Sequence, residues 1–73
     1  MKPRTFRLIG EALYGVLWQA RVSHAIGVSD RTIRRWAHGD VAIPSRLRTE
    51  LVALAERRRR EIDEALRMLR TEE

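Results

Sequence analysis

Residues 19–39 read QARVSHAIGVSDRTIRRWAHG and carry the clearest structural pattern in the chain. The apolar residues of this stretch recur at three- and four-residue spacing, which is typical of helices that bury one face. Gly27 separates two such segments and supplies the turn between them, because a residue without a Cβ adopts a positive φ easily. A small residue is needed where the two helices cross, and Ser23 is small. The stretch therefore predicts two short helices joined by a tight turn.

The second of these helices is predicted to run from Asp30 to His38 and to end at Gly39. Ser29 precedes it and is a typical N-cap, since a serine hydroxyl accepts a hydrogen bond from an amide two or three residues later. The apolar residues expected to face inward are Val22, Ile26, Val28, Ile33 and Trp36. Asp30, Arg31, Arg34 and Arg35 then project outward, so this helix suits an anionic groove.

Outside this stretch the pattern remains helical, and no segment alternates like a strand. A first helix is predicted from Thr5 or Phe6 to Tyr14, where Gly15 ends it. Its buried stripe is Phe6, Ile9 and Leu13, with Ala12 as a further candidate. The helix before Gly27 is predicted to begin at Gln19. Residues 40–44 form a loop, because Pro44 prevents a helix from passing through it.

The last helix is predicted from Arg46 to Leu69 or Arg70, with Ser45 as its cap. Arg58 interrupts the apolar line of this segment, so the alternatives are one long helix and two helices that break there. We favour one continuous helix, because neither glycine nor proline marks a break within Arg57–Arg60. The sequence thus predicts an all-α protein. It consists of a compact four-helix helix-turn-helix domain over residues 1–56 and a C-terminal helix extension over residues 57–73.

The charge is unevenly distributed along the chain. The formal net charge is +5, and residues 47–73 carry seven arginines against seven acidic residues. All the excess positive charge therefore lies in the first 46 residues, which indicates a polyanionic partner for that part. The basic run Arg57–Arg60 is expected to be neutralised by acids four residues away. The expected pairs are Glu56–Arg60, Arg57–Glu61, Arg59–Asp63 and Arg60–Glu64.

The segment from Ile26 to Gly39 resembles the helix-turn-helix of Cro/C1-type (XRE-like) phage and bacterial transcriptional repressors. Small prophage and anti-CRISPR-associated regulators of this type are of similar size. The resemblance covers roughly residues 5–55, and its firm part is residues 19–39; Ser23 departs from the alanine that many members have.

The resemblance implies a sequence-specific DNA-binding repressor that reads the major groove with the helix Asp30–His38. It also implies roles for individual side chains. The expected base contacts are Ser29, Asp30, Arg31, Arg34 and Arg35. The expected phosphate contacts are Gln19, Thr32, Ser45 and Arg46.

A homodimer on an inverted-repeat operator is expected, because a lone module of this size contacts few base pairs. The far half of the last helix has apolar residues that nothing else in the chain is left to cover. We predict that Ile62, Ala65, Leu66 and Leu69 pack against the same residues of a second copy. The alternative is a last helix that folds back onto the first and gives a monomer.

Other classes of function find little support in the residues. The chain has no cysteine, and its two histidines lack a ligand spacing, so we expect no metal site. No nucleophile–base pair or phosphate-cradling loop is present, so we expect no enzyme, cofactor or small-molecule ligand. No membrane span or signal peptide is recognisable, and a cytoplasmic location is expected. Two alternatives remain: a non-sequence-specific nucleic-acid-binding protein, and an antitoxin- or adaptor-type protein-interaction module.

Overall fold

The computed structural model describes residues 1–72, in which every regular element is helical. The elements are α1 (Pro3–Tyr14), a short 3₁₀ helix (Gly15–Leu17), α2 (Trp18–Ile26), α3 (Asp30–His38) and α4 (Leu47–Thr71). The predicted all-α class is confirmed. The compact part is a set of three mutually packed helices, α1 to α3, rather than the four predicted. The long helix α4 adds buried apolar residues to this core only from its first two turns, namely Leu47, Leu51 and Leu54.

One predicted helix start and one predicted helix cap are wrong. α1 begins at Pro3 rather than at Thr5 or Phe6. Proline suits the first helical position, because its φ is already helical and its missing N–H would have no partner there. Ser45 does not cap α4; the N-cap is Arg46, without a side-chain hydrogen bond. The first turn forms instead through backbone bonds, such as Leu47 N–H to the carbonyl of Pro44 at 3.1 Å.

The core is organised around the ring of Phe6, which is fully buried. The Trp18 ring meets it edge-on at 5.1 Å between centroids, and the Trp36 ring lies 6.2 Å away. Both indoles therefore belong to the core. The other buried apolar residues are Leu13, Val22, Ile33, Ala37, Leu47, Leu51 and Leu54.

The inward-facing prediction for the turn region is confirmed. Val22, Ile33 and Trp36 are buried, and Ile26 and Val28 are half-buried against the core.

Ala12 is exposed, so its assignment to the buried stripe of α1 is wrong. Gly10 occupies that face instead and is buried. A Cβ built on Gly10 would lie 2.1 Å from Trp18 Cε3, which is closer than any real carbon contact. The absence of a side chain at position 10 therefore lets α2 begin directly against α1.

α4 is one unbroken helix of 25 residues that passes through Arg57–Arg60, as predicted. The ion pairs along it differ from the prediction, because they join residues three positions apart rather than four. The pairs within residues 1–72 are Glu56–Arg59, Arg58–Glu61 and Glu64–Arg67.

Arg58 fastens α4 to the end of α1. Its Nε donates to the carbonyl oxygen of Leu13 at 3.0 Å, and its guanidinium lies 5.8 Å from the centre of the Tyr14 ring. We expect Arg58→Met to keep the helix but to destabilise the protein by about 1–2 kcal/mol, since it loses a charged hydrogen bond and a cation–π contact. Urea unfolding followed by circular dichroism measures this. Arg60→Met, at an exposed site, is the control; equal stability of the two variants would contradict the fastening role.

Beyond Arg58 the helix leaves the compact part. Residues 59–72 are all exposed, and the protein measures 50 Å along its long axis and 21 Å across. The far half of α4 therefore does not fold back onto α1, contrary to the geometry expected for the monomer alternative. Among the described residues, no helix combines the length and apolar character that crossing a membrane requires.

Candidate nucleic-acid interface

The N-terminus of α3 is fixed by Ser29. Its backbone is extended, and its Oγ accepts a hydrogen bond from the N–H of Thr32 at 3.2 Å. The two hydroxyls, on Ser29 and Thr32, are also 3.0 Å apart. The predicted N-cap is thus confirmed, and both hydroxyls take part in it.

The turn before α3 is closed by Ser23 and Gly27. Gly27 has a φ of 68° in the left-handed region, as the sequence predicted, and its N–H donates to the Ser23 carbonyl at 3.0 Å. The Ser23 hydroxyl donates to the carbonyl oxygen of Val28, and the Val28 N–H donates back to the Ser23 carbonyl. A serine at this crossing therefore adds a bond that alanine could not make, and it holds the angle between α2 and α3.

The C-terminus of α3 is also fixed by hydrogen bonds. The Asp40 N–H donates to the Arg35 carbonyl at 3.0 Å, which closes the last turn around Gly39. Arg7 of α1 donates to the carbonyl oxygen of Ala37. A cation at a helix C-terminus is favourable, and this bond uses the Arg7 guanidinium within the fold. Lys2 and Arg4, by contrast, are exposed.

Between these two ends, α3 has two contrasting sides. Ile33, Trp36 and Ala37 are buried on the inner side. Arg31, Arg34 and Arg35 are exposed on the outer side, and none of them forms an ion pair within residues 1–72. Their five-donor guanidinium groups are therefore available to an external acceptor.

Gln19 lies near one flank of this outer side. It is the second residue of α2 and is half-buried. Gln19, Asp30 and Arg34 line one shallow groove between the start of α2 and α3. One backbone N–H at the start of α2 already has an acceptor, because the Trp18 N–H donates to the Gly15 carbonyl. The groove brings together an amide side chain, a carboxylate and a guanidinium.

The other predicted phosphate contacts lie elsewhere. Thr32 is half-buried and engaged in the cap. Ser45 and Arg46 are exposed in the turn before α4. Ser45 lines a different groove, between α1 and α4, beside Lys2. The predicted residues therefore fall into two groups, one around α3 and one at the start of α4.

Three exposed side chains of this surface are not among the base and phosphate contacts expected from the sequence. His38 is exposed four residues after Arg34 and seven after Arg31, so helical spacing puts it on the same outer side. Val16 and Leu17, in the 3₁₀ helix, are 95% and 67% exposed and line the groove of Gln19 and Arg34. The spacing could have identified His38; the position of the 3₁₀ pair depends on tertiary packing.

The cap can be tested by mutation. We expect Ser29→Ala to destabilise the protein by about 1 kcal/mol, because the Thr32 amide loses its acceptor. Ser45→Ala is the matched control and should have little effect, since Ser45 caps nothing. Thermal unfolding of both variants measures the difference. Equal losses at the two serines would show that the cap assignment is incorrect.

Comparison of the chain with protein-family models, with curated proteins and with solved structures gave no match.

Proposed function

We propose that this protein is a sequence-specific transcriptional regulator that binds double-stranded DNA through α3. Its simplest form is a repressor that occupies an inverted-repeat operator as a homodimer. One observation carries the proposal: α3 buries Ile33 and Trp36 while its three arginines stay exposed and unpaired within residues 1–72. An exposed helix of this kind fits the major groove, which is about 12 Å wide.

The chemistry of the outer side suits reading of base edges. An arginine that forks onto guanine O6 and N7 discriminates against other bases by about 1–3 kcal/mol. Arg31 and Arg34 are the first candidates, and Asp30 would accept from cytosine N4 or orient Arg34. Ser29 and Arg35 complete the proposed base-reading set. Gln19, Thr32, Ser45 and Arg46 are the proposed phosphate contacts, and His38 joins them.

The proposal includes a homodimer. Two copies double the specific contacts, with half-sites about 34–36 Å apart or a multiple of that. The exposed far half of α4 supports it, because large apolar side chains in a soluble protein usually mark an interaction site when they cluster. The residues concerned are Ile62, Ala65, Leu66 and Leu69.

The proposed regulator would act in the cytoplasm, where operator DNA is accessible in a bacterial cell. Repression rests on the resemblance of residues 26–39 to Cro/C1-type repressors. Neither a cofactor nor a small-molecule ligand is part of the proposal.

Selection of bound sequences from random duplex DNA tests the function directly. We expect enrichment of one short motif arranged as an inverted repeat, with tight binding that weakens steeply as salt rises. Equal retention of all sequences would instead indicate a protein that contacts only the nucleic-acid backbone. Absence of any DNA binding would overturn the proposal and favour a protein-interaction module.

A further inference from the structure

α4 carries a second apolar stripe beside the one it buries. Leu47, Leu51 and Leu54 face the core, whereas a separate exposed set recurs at alternating spacings of three and four residues. This set is Val52, Ala55, Arg59, Ile62, Leu66 and Leu69, and we call it the α4 seam. The spacing is that of a coiled-coil contact face. The seam is about 26 Å long at 1.5 Å per residue, so it starts on the compact part and extends along the free helix.

We propose that a second copy of this chain covers the α4 seam in antiparallel orientation, centred between Arg60 and Glu61. The seam residues are symmetric about that point. Val52 then faces Leu69 of the second copy, Ala55 faces Leu66, and Arg59 faces Ile62. This rests on the proposed homodimer but changes its pairing, because the far half of each α4 faces the near half of the other helix rather than the same far-half residues.

A groove on the compact part fits this arrangement. Val52 and Ala55 line it from α4, and Ile9 lines it from α1. Val52 is 54% exposed and Leu69 is 75% exposed, so both have apolar surface without cover within residues 1–72. In the antiparallel pair, Leu66 and Leu69 of the second copy lie against the α4 wall of this groove. One contact thus covers two exposed apolar surfaces that are far apart in a single chain.

The charges at the two ends of the seam favour the antiparallel direction. Arg48 and Lys2 border the groove, and both are exposed. The antiparallel pairing brings Glu72 of the second copy opposite the end of α4 that carries Arg48. A parallel pairing would place Glu72 of one copy beside Glu72 of the other. It would also put the two Arg59 guanidinium groups in one layer, which is unfavourable.

Arg59 is the one charged member of the seam. It pairs with Glu56 of its own helix at 2.6 Å, so its charge is partly balanced before association. A polar residue in such a seam lowers stability while it helps to fix register. Its replacement by an apolar residue should therefore strengthen the dimer.

Sedimentation equilibrium without DNA tests the interface independently of DNA binding. We expect a dimer, and Val52→Asp and Leu66→Asp should each weaken association by about tenfold or more, since a carboxylate would be buried. Leu8→Asp is the control: Leu8 is 52% exposed on α1, outside the groove, and its change should leave the dimer intact. Circular dichroism checks that each variant folds.

A gain of association complements these losses, because it cannot arise from misfolding. Arg59→Leu should tighten the dimer by about tenfold, as a coiled-coil seam gains from an apolar residue. Arg60→Leu adds the same side chain outside the seam and should change nothing. Equal gains from both substitutions would indicate nonspecific association and overturn the proposal.

Cross-linking determines the register, since the chain has no natural cysteine. Ala55→Cys combined with Leu66→Cys should give a covalent dimer with a short thiol cross-linker, and neither single variant should. Efficient cross-linking of Leu66→Cys alone, together with an unaffected Val52→Asp dimer, would mean that only the far halves of α4 face each other. That result, or a monomer at all concentrations, overturns the proposal. A selected operator bound by a monomer would leave the DNA-binding function standing.

Discussion

The Gly10→Ala variant is expected to be less stable than the wild type by about 2–3 kcal/mol, in the range that overpacking of a core costs. The added methyl would lie 2.1 Å from Trp18 Cε3 and 2.4 Å from Trp18 Cδ2. The indole cannot withdraw easily, because it is buried and set edge-on against Phe6 at 5.1 Å. Since Trp18 is the first residue of α2, relief of the overlap requires movement of the helix that carries Gln19.

Helix propensity predicts the opposite sign for this substitution, which makes the test sharp. Alanine in a helix interior is more stable than glycine by about 1 kcal/mol when nothing opposes it. Ala12→Gly, at an exposed site of the same helix, should therefore cost about 1 kcal/mol. Urea unfolding at a fixed protein concentration compares the two variants with the wild type.

A double-mutant cycle locates the cause. In a Trp18→Leu background, the cost of Gly10→Ala should fall, because the smaller side chain leaves room for the methyl group. If Gly10→Ala stabilised the wild type, or if its cost were the same in both backgrounds, α1 and α2 could not be packed as described.

The boundaries of α2 and α3 follow closely from the sequence, because the signals that set them are local. Gly27 and Gly39 end their helices, and Ser29 caps the next one within three residues along the chain. Each signal depends on backbone conformation or on a bond to a near neighbour. The inward positions around the turn follow from helical spacing alone.

The packing at Gly10 and the contact of Arg58 were not predicted, because they depend on residues that are not neighbours in the chain, whereas the error at Ser45 is local. Nothing near Gly10 indicates that an indole eight residues later will lie on it. Arg58 reaches the Leu13 carbonyl across 45 residues of chain, a contact that helical spacing within α4 cannot indicate. Ser45 has the right chemistry for a cap, but backbone bonds from the Pro44 turn form the first turn of α4 instead.

The candidate interface also has one part that the sequence predicts and one part that depends on tertiary packing. The exposure of Arg31, Arg34 and Arg35 follows from the burial of Ile33 and Trp36 on the opposite side of one helix. The shared groove of Gln19 and Arg34 does not follow from spacing, because it depends on how α2 crosses α3. The bond between Ser23 and the Val28 carbonyl ties the end of α2 to the turn before α3, and helical spacing does not indicate it.

Loss of one guanidinium from α3 is expected to have the largest effect on proposed DNA recognition. Arg34→Ala should reduce affinity for the selected site by about 10- to 100-fold, which is the affinity that a bidentate arginine–guanine contact contributes. Affinity for unrelated duplex should fall much less. Arg34 is exposed, forms no ion pair within residues 1–72 and lines the groove beside Gln19. Its removal should therefore leave the fold intact, which thermal unfolding verifies.

Two controls separate base reading from charge attraction. Arg34→Lys keeps the charge but lacks the planar fork, so a base reader should still lose most of its site preference. Arg60→Ala removes an equal charge from exposed α4 and should leave the preference unchanged. Competition between the selected duplex and a scrambled one, at two salt concentrations, measures all three variants. If Arg34→Lys bound like the wild type and Arg34→Ala weakened both duplexes equally, Arg34 would contact phosphate, and α3 would read base edges only through its other side chains.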